Sequence, residues 1–209
     1  MARYIAADCK ICRREGEKLF LKGSKCSGDK CTLDKRGYAP GEHGQDSRRK
    51  GSEFRLRLRE KQKLRRIYGL LEQQFRNCFL KAAKEKGVTG EKLLQILECR
   101  LDNLVYRLGF APSRKSARQL VSHRHLKVNN RIVNIPSYNV KVGDIISVRE
   151  KSRNLDIIHS ALMEKSRGAE FPWLRLDKAH LQGELLEIPK RLDIPVMVQE
   201  QLVVEFYSR

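Results

Sequence analysis

All of the net charge in this 209-residue chain sits in two segments, and any fold it adopts has to carry both on its surface. Residues 1–86 hold 24 basic and 11 acidic side chains, while residues 113–131 hold six basic and no acidic ones. The remainder balances at 14 of each sign, so these two blocks account for the whole excess of +19. A generic solvated surface interleaves the signs. Concentrated blocks favour a polyanion, because binding releases counterions condensed on its phosphates. Hydrophobic residues make up 40% of the chain, which excludes a disordered basic tail and supplies at least one core.

The rival reading of a positive chain is a membrane surface, and the sequence gives it little. No run approaches the roughly 18 apolar residues of a span. The opening MARYIAADCK lacks the apolar stretch of a secretory leader, and the single Trp, Trp173, lies outside any basic amphipathic helix. The expectation is a cytoplasmic protein, without a membrane partner and with reduced cysteines.

Apolar periodicity sketches an α+β fold. Ser52 and Glu53 open a helix that runs to Gly69, with Phe54, Leu58, Leu64, Ile67 and Tyr68 on an apolar side. Arg55, Arg59, Lys63 and Arg66 fall together on the other side, at a rise of about 6 Å per step, which suits successive phosphates. A second helix is expected from Leu70 to Lys86, carrying Leu71, Phe75, Phe79 and Ala82 inward. A third begins near Thr89 and continues through Leu101, Leu104, Val105 and Leu108 to a stop at Gly109. Ser113 then caps a short helix with Ala117, Leu120 and Val121 inward and Arg118 on its exposed side. Its first turn carries Arg114 and Lys115, where the helix dipole prefers acids, an arrangement that suits a docked phosphate.

Short strands follow. Asn129-Asn130 tolerates the positive φ of a type I′ hairpin between Leu126–Val128 and Ile132–Val133, and Gly143-Asp144 leads into Ile145–Val148. Beyond residue 150 the pattern reads as a helix near 155–165, strand pieces at 173–176 and 185–188, and a final strand at 202–207.

Six cysteines divide in two ways. Cys78 and Cys99 stand alone on helical patterns and read as small buried side chains. Cys9, Cys12, Cys26 and Cys31 form two close pairs around a 13-residue insert, a spacing that can supply four thiolates in a tetrahedron. Zinc is the default metal for such a set, and an iron–sulfur cluster is the alternative. Either would give shape to about 35 residues that have few core candidates of their own. An enzyme finds no support: there is no Gly-rich phosphate loop, no Ser/His/Asp ordering and no metal-binding His pair. His123 and His125, flanking Arg124, are read as helix-capping or phosphate-donating imidazoles.

The stretch RLDNLVYRLGFAPSRKSARQLVSHRHLKVNN resembles an RNA-binding module shared by ribosomal proteins, pseudouridine synthases and tyrosyl-tRNA synthetases. ARYI, CKIC, PGEHG at 40–44, LREKQKLRRIYG at 58–69 and the ending EQLVVEFYSR extend the resemblance, in order, over essentially the whole chain. That set resembles the bacterial-type family of small-subunit ribosomal protein four, in its cysteine-bearing form. Two departures are visible: Glu42 stands where the family often has Gln, and Asn130 where the hairpin often has Gly.

The resemblance implies a primary rRNA-binding protein of the small subunit that binds the 5′ domain of its rRNA and nucleates assembly. It further implies contact with the fifth small-subunit protein and an influence on decoding accuracy; some members also bind their own mRNA. The runner-up is a free RNA-binding assembly factor, which would carry the module without the cysteine lobe or the LREKQKLRRIYG helix. The expected division is a metal-binding lobe at 1–45, a helical rRNA-binding domain at 46–98, the RNA-binding module at 99–165 and a C-terminal segment at 166–209 that packs back and completes the helical domain. Candidate RNA contacts in the first block are Arg3, Arg13, Arg14, Lys22, His43, Arg48, Arg49, Lys50, Arg55, Arg59, Lys63 and Arg66. In the second they are Ser113, Arg114, Lys115, Arg118, His123, Lys127, Asn129 and Arg131.

Overall fold

Hydroxyl caps and glycine stops set the ends of several helices, and buried apolar faces set where they lie. The computed structural model describes residues 4–45, 51–165 and 171–208. They belong to two units, Met1–Gly90 with Val196–Arg209, and Glu91–Pro195. Among the described residues no helix is long and apolar enough to cross a membrane.

In the first unit, α1 (Asp8–Glu15) stops at Gly16, whose φ of 77° is costly for any residue with a Cβ. Two single-turn helices follow, α2 (Ser24–Ser27) and α3 (Thr32–Lys35), and then a 3-10 turn at Glu42–Gly44. A Cβ on Gly44 would run into the backbone carbonyl of Ala39, so this loop closes only on glycine. The helix α4 (Glu53–Ile67) starts where Ser52 Oγ accepts the Arg55 N–H at 3.3 Å, satisfying one of the free amides of the first turn. After it, α5 (Glu72–Lys84) buries Phe75, Phe79 and Ala82.

The long helix expected from Thr89 to Leu108 is two helices, α6 (Thr89–Glu98), which from Glu91 onward belongs to the second unit, and α7 (Leu101–Leu108). The break at Cys99 and Arg100 comes from distant chain: the Leu101 N–H donates to Tyr138 O at 2.9 Å, and the Val140 N–H donates to Cys99 O at 3.0 Å. Gly109, at φ 88°, ends α7, and α8 (Arg114–Ser122) follows with Ser113 as its cap. The strands β1 (Leu126–Val128) and β2 (Arg131–Ile132) are joined by Asn129 and Asn130 at φ 47° and 65°, the mirror-image turn that matches strand twist.

The unit is completed by β3 (Ile145–Val148), α9 (Asp156–Lys165), β4 (Leu174–Asp177) and β5 (Gln182–Leu185). The second of the expected late strand pieces therefore lies three residues earlier than its pattern suggested. Pairing is antiparallel throughout, in the order β2-β1-β3-β5-β4. α7 approaches the sheet so closely at Gly183 that a Cβ there would intrude on Leu108. Leu101, Leu104, Leu108, Phe110, Leu126, Ile146 and Trp173 form the centre of the core, each almost wholly buried. Burial of each such side chain contributes about 1.5–3 kcal/mol.

The chain ends in the first unit as α10 (Glu200–Tyr207), a helix where alternating apolar residues suggested a strand. Its Val203 is fully buried, Phe206 lies 5.7 Å from Phe54, and Tyr207 stacks on Phe79 at 4.6 Å. Packing against α4 and α5 overrides the strand preference of Val and Phe, which is weak and context-dependent.

Candidate nucleic-acid interface

The basic segment 113–131 runs along α8 and the β1–β2 hairpin, and its cations divide into anchored and exposed. Arg114 donates from Nε to Asn103 Oδ1 at 2.8 Å and lies 4.6 Å over the Tyr106 ring. Arg118 donates from Nε and Nη2 to Asp102 Oδ2 at 3.0 and 2.7 Å. Both guanidiniums are thus laid on α7 rather than projecting from α8. Behind them, Arg107 grips the fully buried Glu98 at 3.0 and 2.6 Å, and Arg100 grips Asp102 at 3.1 and 2.9 Å. Asn103 Nδ2 closes the network by donating to the same Glu98 carboxylate at 2.6 Å. Two more expected contacts have local structural work: Ser113 Oγ accepts the Ser116 N–H at 3.2 Å, and Asn129 links the hairpin to Asp144 and Ile145 at 2.7 and 3.0 Å.

Lys115 and Lys127 are half-buried, the latter 3.7 Å from Glu150, while His123 and Arg131 are exposed. His125 is a poor phosphate donor: burial first, then the charges of His123 and Arg149, push its pKa down, and its Nδ1 sits 2.9 Å from Ser152 Oγ. Sequence reasoning passed over Arg124, which is exposed and holds φ 63° directly after α8. Its N–H donates to Val121 O at 3.0 Å and the His125 N–H to Leu120 O at 3.1 Å, the paired bonds of a Schellman stop. That position favours Gly, so an Arg there is held against a local preference.

In the first unit the expected cationic row on α4 does not stand exposed as one face. Arg59 is bound through both arms to Glu15, whose side chain is only 4% exposed. Lys63 is buried and paired to Glu17 at 2.6 Å, and Arg66 lies 4.1 Å over the ring of Tyr4. Of the four, Arg55 alone is exposed. Sequence spacing placed these side chains correctly along the helix but could not show the carboxylates waiting at the end of α1, Glu15, and just past it, Glu17.

Arg13 is likewise engaged, donating to the Tyr38 carbonyl at 3.0 Å and covering that ring at 4.9 Å, whereas Arg14, Lys22 and His43 are exposed. Arg3, Arg48, Arg49 and Lys50 lie outside the described residues. Tyr4, Lys10 and Arg65, which the sequence did not single out, line a cleft beside α1 and α4 together with Arg14, Arg59 and Arg66.

The four N-terminal cysteines share this unit. Cys12, Cys26 and Cys31 are buried and Cys9 is half-buried. Burial holds the Cys12 thiol above its ordinary range, and the charges of Cys26, Cys9 and Cys31 add to that. The Lys22 N–H points at Cys26 Sγ at 3.4 Å. The donor set suits a soft divalent ion, yet among the described residues no three of the His, Cys, Asp or Glu side chains are brought into a coordinating group. Cys78 is half-buried and Cys99 buried.

Comparison with known proteins gives a consistent result. The family described as Ribosomal protein S4/S9 N-terminal domain matches residues 3–98, and the S4 domain matches residues 99–146. The chain is 56% identical to the small ribosomal subunit protein uS4 of Thermus thermophilus over 210 residues, covering 100% of both chains. It is 55% identical to that of Acetivibrio thermocellus and 54% identical to that of Dictyoglomus turgidum, again over 100% of each chain.

Proposed function

The chain belongs to the small ribosomal subunit protein uS4 family, and on that premise we propose that it is a structural, non-enzymatic component of the small subunit that binds its rRNA directly. It attaches to the 5′ domain of that RNA and nucleates assembly. In the finished subunit it sits in the cytoplasm against neighbouring ribosomal proteins, the fifth above all, and contributes to translational accuracy.

The observation that carries the RNA reading is the surface of the second unit. Segment 113–131 contains no carboxylate, and the groups on α7 that hold its arginines, the Asn103 amide for Arg114 and the Asp102 carboxylate for Arg118, are buried. The charges the segment presents to solvent are all positive, Arg124 and Arg131 with Lys127 at the margin, among the exposed polar side chains of Gln119, Ser122, His123, Asn129 and Asn130. In the first unit Arg14, Lys22 and Arg55 make the corresponding contribution. The geometry favours a positioning role for Arg59, Lys63, Arg114 and Arg118. They fix the helices that display the phosphate contacts. Cosedimentation with small subunits tests the reading: the chain stays bound through a high-salt wash, and complete release would contradict it.

We further propose that Cys9, Cys12, Cys26 and Cys31 hold a zinc ion, with an iron–sulfur cluster as the alternative. The chemistry of the donors, their burial and the N–H directed at Cys26 support it. When bound, the ion would tie α1 to the turns around α2 and α3, and four thiolates leave no position open for catalysis. Elemental analysis decides between zinc and iron with acid-labile sulfide; protein free of both contradicts the proposal.

A further inference from the structure

The cleft in the first unit has the composition of a ligand site. One wall is α1, through Lys10, Ile11 and Arg14; the other is α4, through Leu58, Arg65 and Arg66. Tyr4 and Pro40 border it, and its volume is about 420 Å³, within the range of sites that take a single small molecule or one unit of a polymer. Five cations line it against one carboxylate, Glu15, which Arg59 already engages through both arms.

Arg65 is a mostly buried member of this set. Its side chain is only 11% exposed, one arm reaches Glu72 at 3.3 Å, and its Nε is buried without an acceptor. Burial and the neighbouring Arg66 both work against its charge. A buried donor left bare in this way is costly, and it belongs to a guanidinium that lines the cleft. The guanidinium of Arg66 stacked on Tyr4 adds a flat, cationic wall, and Ile11, Leu58 and Pro40 add an apolar one.

Concavity decides what kind of anion fits. A duplex presents its phosphates on a broad convex surface and cannot enter a pocket of this size. A nucleotide swung out of a loop or bulge can, with its base on an aromatic or guanidinium plane and its phosphate on the rim. We propose that this cleft accepts one unstacked nucleotide of the RNA, its base against the Arg66–Tyr4 stack and its phosphate met by Lys10 and Arg14; the proposal rests on the RNA-binding reading above. The cleft then supplies shape recognition, which the exposed phosphate contacts do not.

The test uses the full-length protein, small-subunit rRNA, and two variants. Leu58→Trp fills the cleft while leaving every cation in place; Lys10→Gln with Arg14→Gln removes the rim charges at exposed positions and guards against a folding defect in the first. Stacking of one base is worth about 1–3 kcal/mol, so Leu58→Trp should weaken rRNA binding about five- to 150-fold with an unchanged salt slope. The double variant should lower the slope by about 0.7 per contact. Chemical probing should show one unpaired base protected by the wild type and reactive with both variants. Variants that bind and protect like the wild type overturn the cleft proposal while leaving RNA binding intact. Wild type that does not bind the RNA overturns the reading beneath it. Free adenosine or uridine monophosphate should fail to saturate the cleft at millimolar concentration; micromolar binding would assign it to a free nucleotide and overturn the proposal.

Discussion

Arg124 is the residue where stability and RNA affinity should move in opposite directions. It occupies the left-handed position after α8 at φ 63°, closing the helix through its own N–H and that of His125. A side chain with a Cβ costs roughly 1–2 kcal/mol in that conformation. Arg124→Gly removes that cost, offset by about 0.4–1 kcal/mol for the extra freedom glycine gives the unfolded chain. The net expectation is stabilisation of about 0.5–1 kcal/mol, a rise in Tm of roughly 1–4 °C for a chain of this size. The same change deletes an exposed cation, so the slope of log affinity against log salt should fall by about 0.9. That corresponds to roughly threefold less salt sensitivity between 50 and 200 mM. Calorimetry and filter binding across a salt series read the two effects on one preparation. A variant that melts lower, or binds rRNA with an unchanged slope, refutes the reasoning.

The remaining predictions concern groups that hold the surfaces in place. Glu98→Gln leaves Arg107 buried beside a neutral partner and should cost about 3–5 kcal/mol in chemical denaturation, with little direct effect on the salt slope. Arg59→Gln strands Glu15, and because Arg59 is 31% exposed the loss should be nearer 2–3 kcal/mol; Arg55→Gln should leave stability within about 0.5 kcal/mol while lowering the salt slope. Burial, helped by Glu98, pushes the Cys99 thiol up to about 11. A folded pKa above the unfolded one means full stabilisation below about pH 9, lost as pH rises through about 11. Cys99→Ala should melt lower at pH 8 but lose less than the wild type between pH 8 and 11, and an equal loss would contradict the assignment.

Local signals in the sequence were reliable where the physics is local. Ser52 and Ser113 cap their helices, Gly69 and Gly109 hold the left-handed stops, and Asn129-Asn130 makes the mirror-image turn. Errors came where distant chain decides. The helix break at Cys99 is made by bonds to Tyr138 and Val140, about 40 residues away, and nothing in the apolar repeat marks it. The C-terminal helix reads as a strand until α4 and α5 are there to take Val203 and Tyr207. The candidate site shows the same division. Charge density located both basic segments, but which cations are exposed depends on partners such as Glu15, Glu17 and Asp102, and those pairings appear only in three dimensions.

The most direct test of the ribosomal reading is equilibrium binding of the full-length chain to the isolated 5′ domain of small-subunit rRNA, with excess large-subunit rRNA as competitor. The expected result is saturation at one protein per RNA, resistance to the competitor, and protected nucleotides confined to a compact set of helices. Binding that the large-subunit RNA displaces mole for mole would reduce the chain to a general polycation and contradict it.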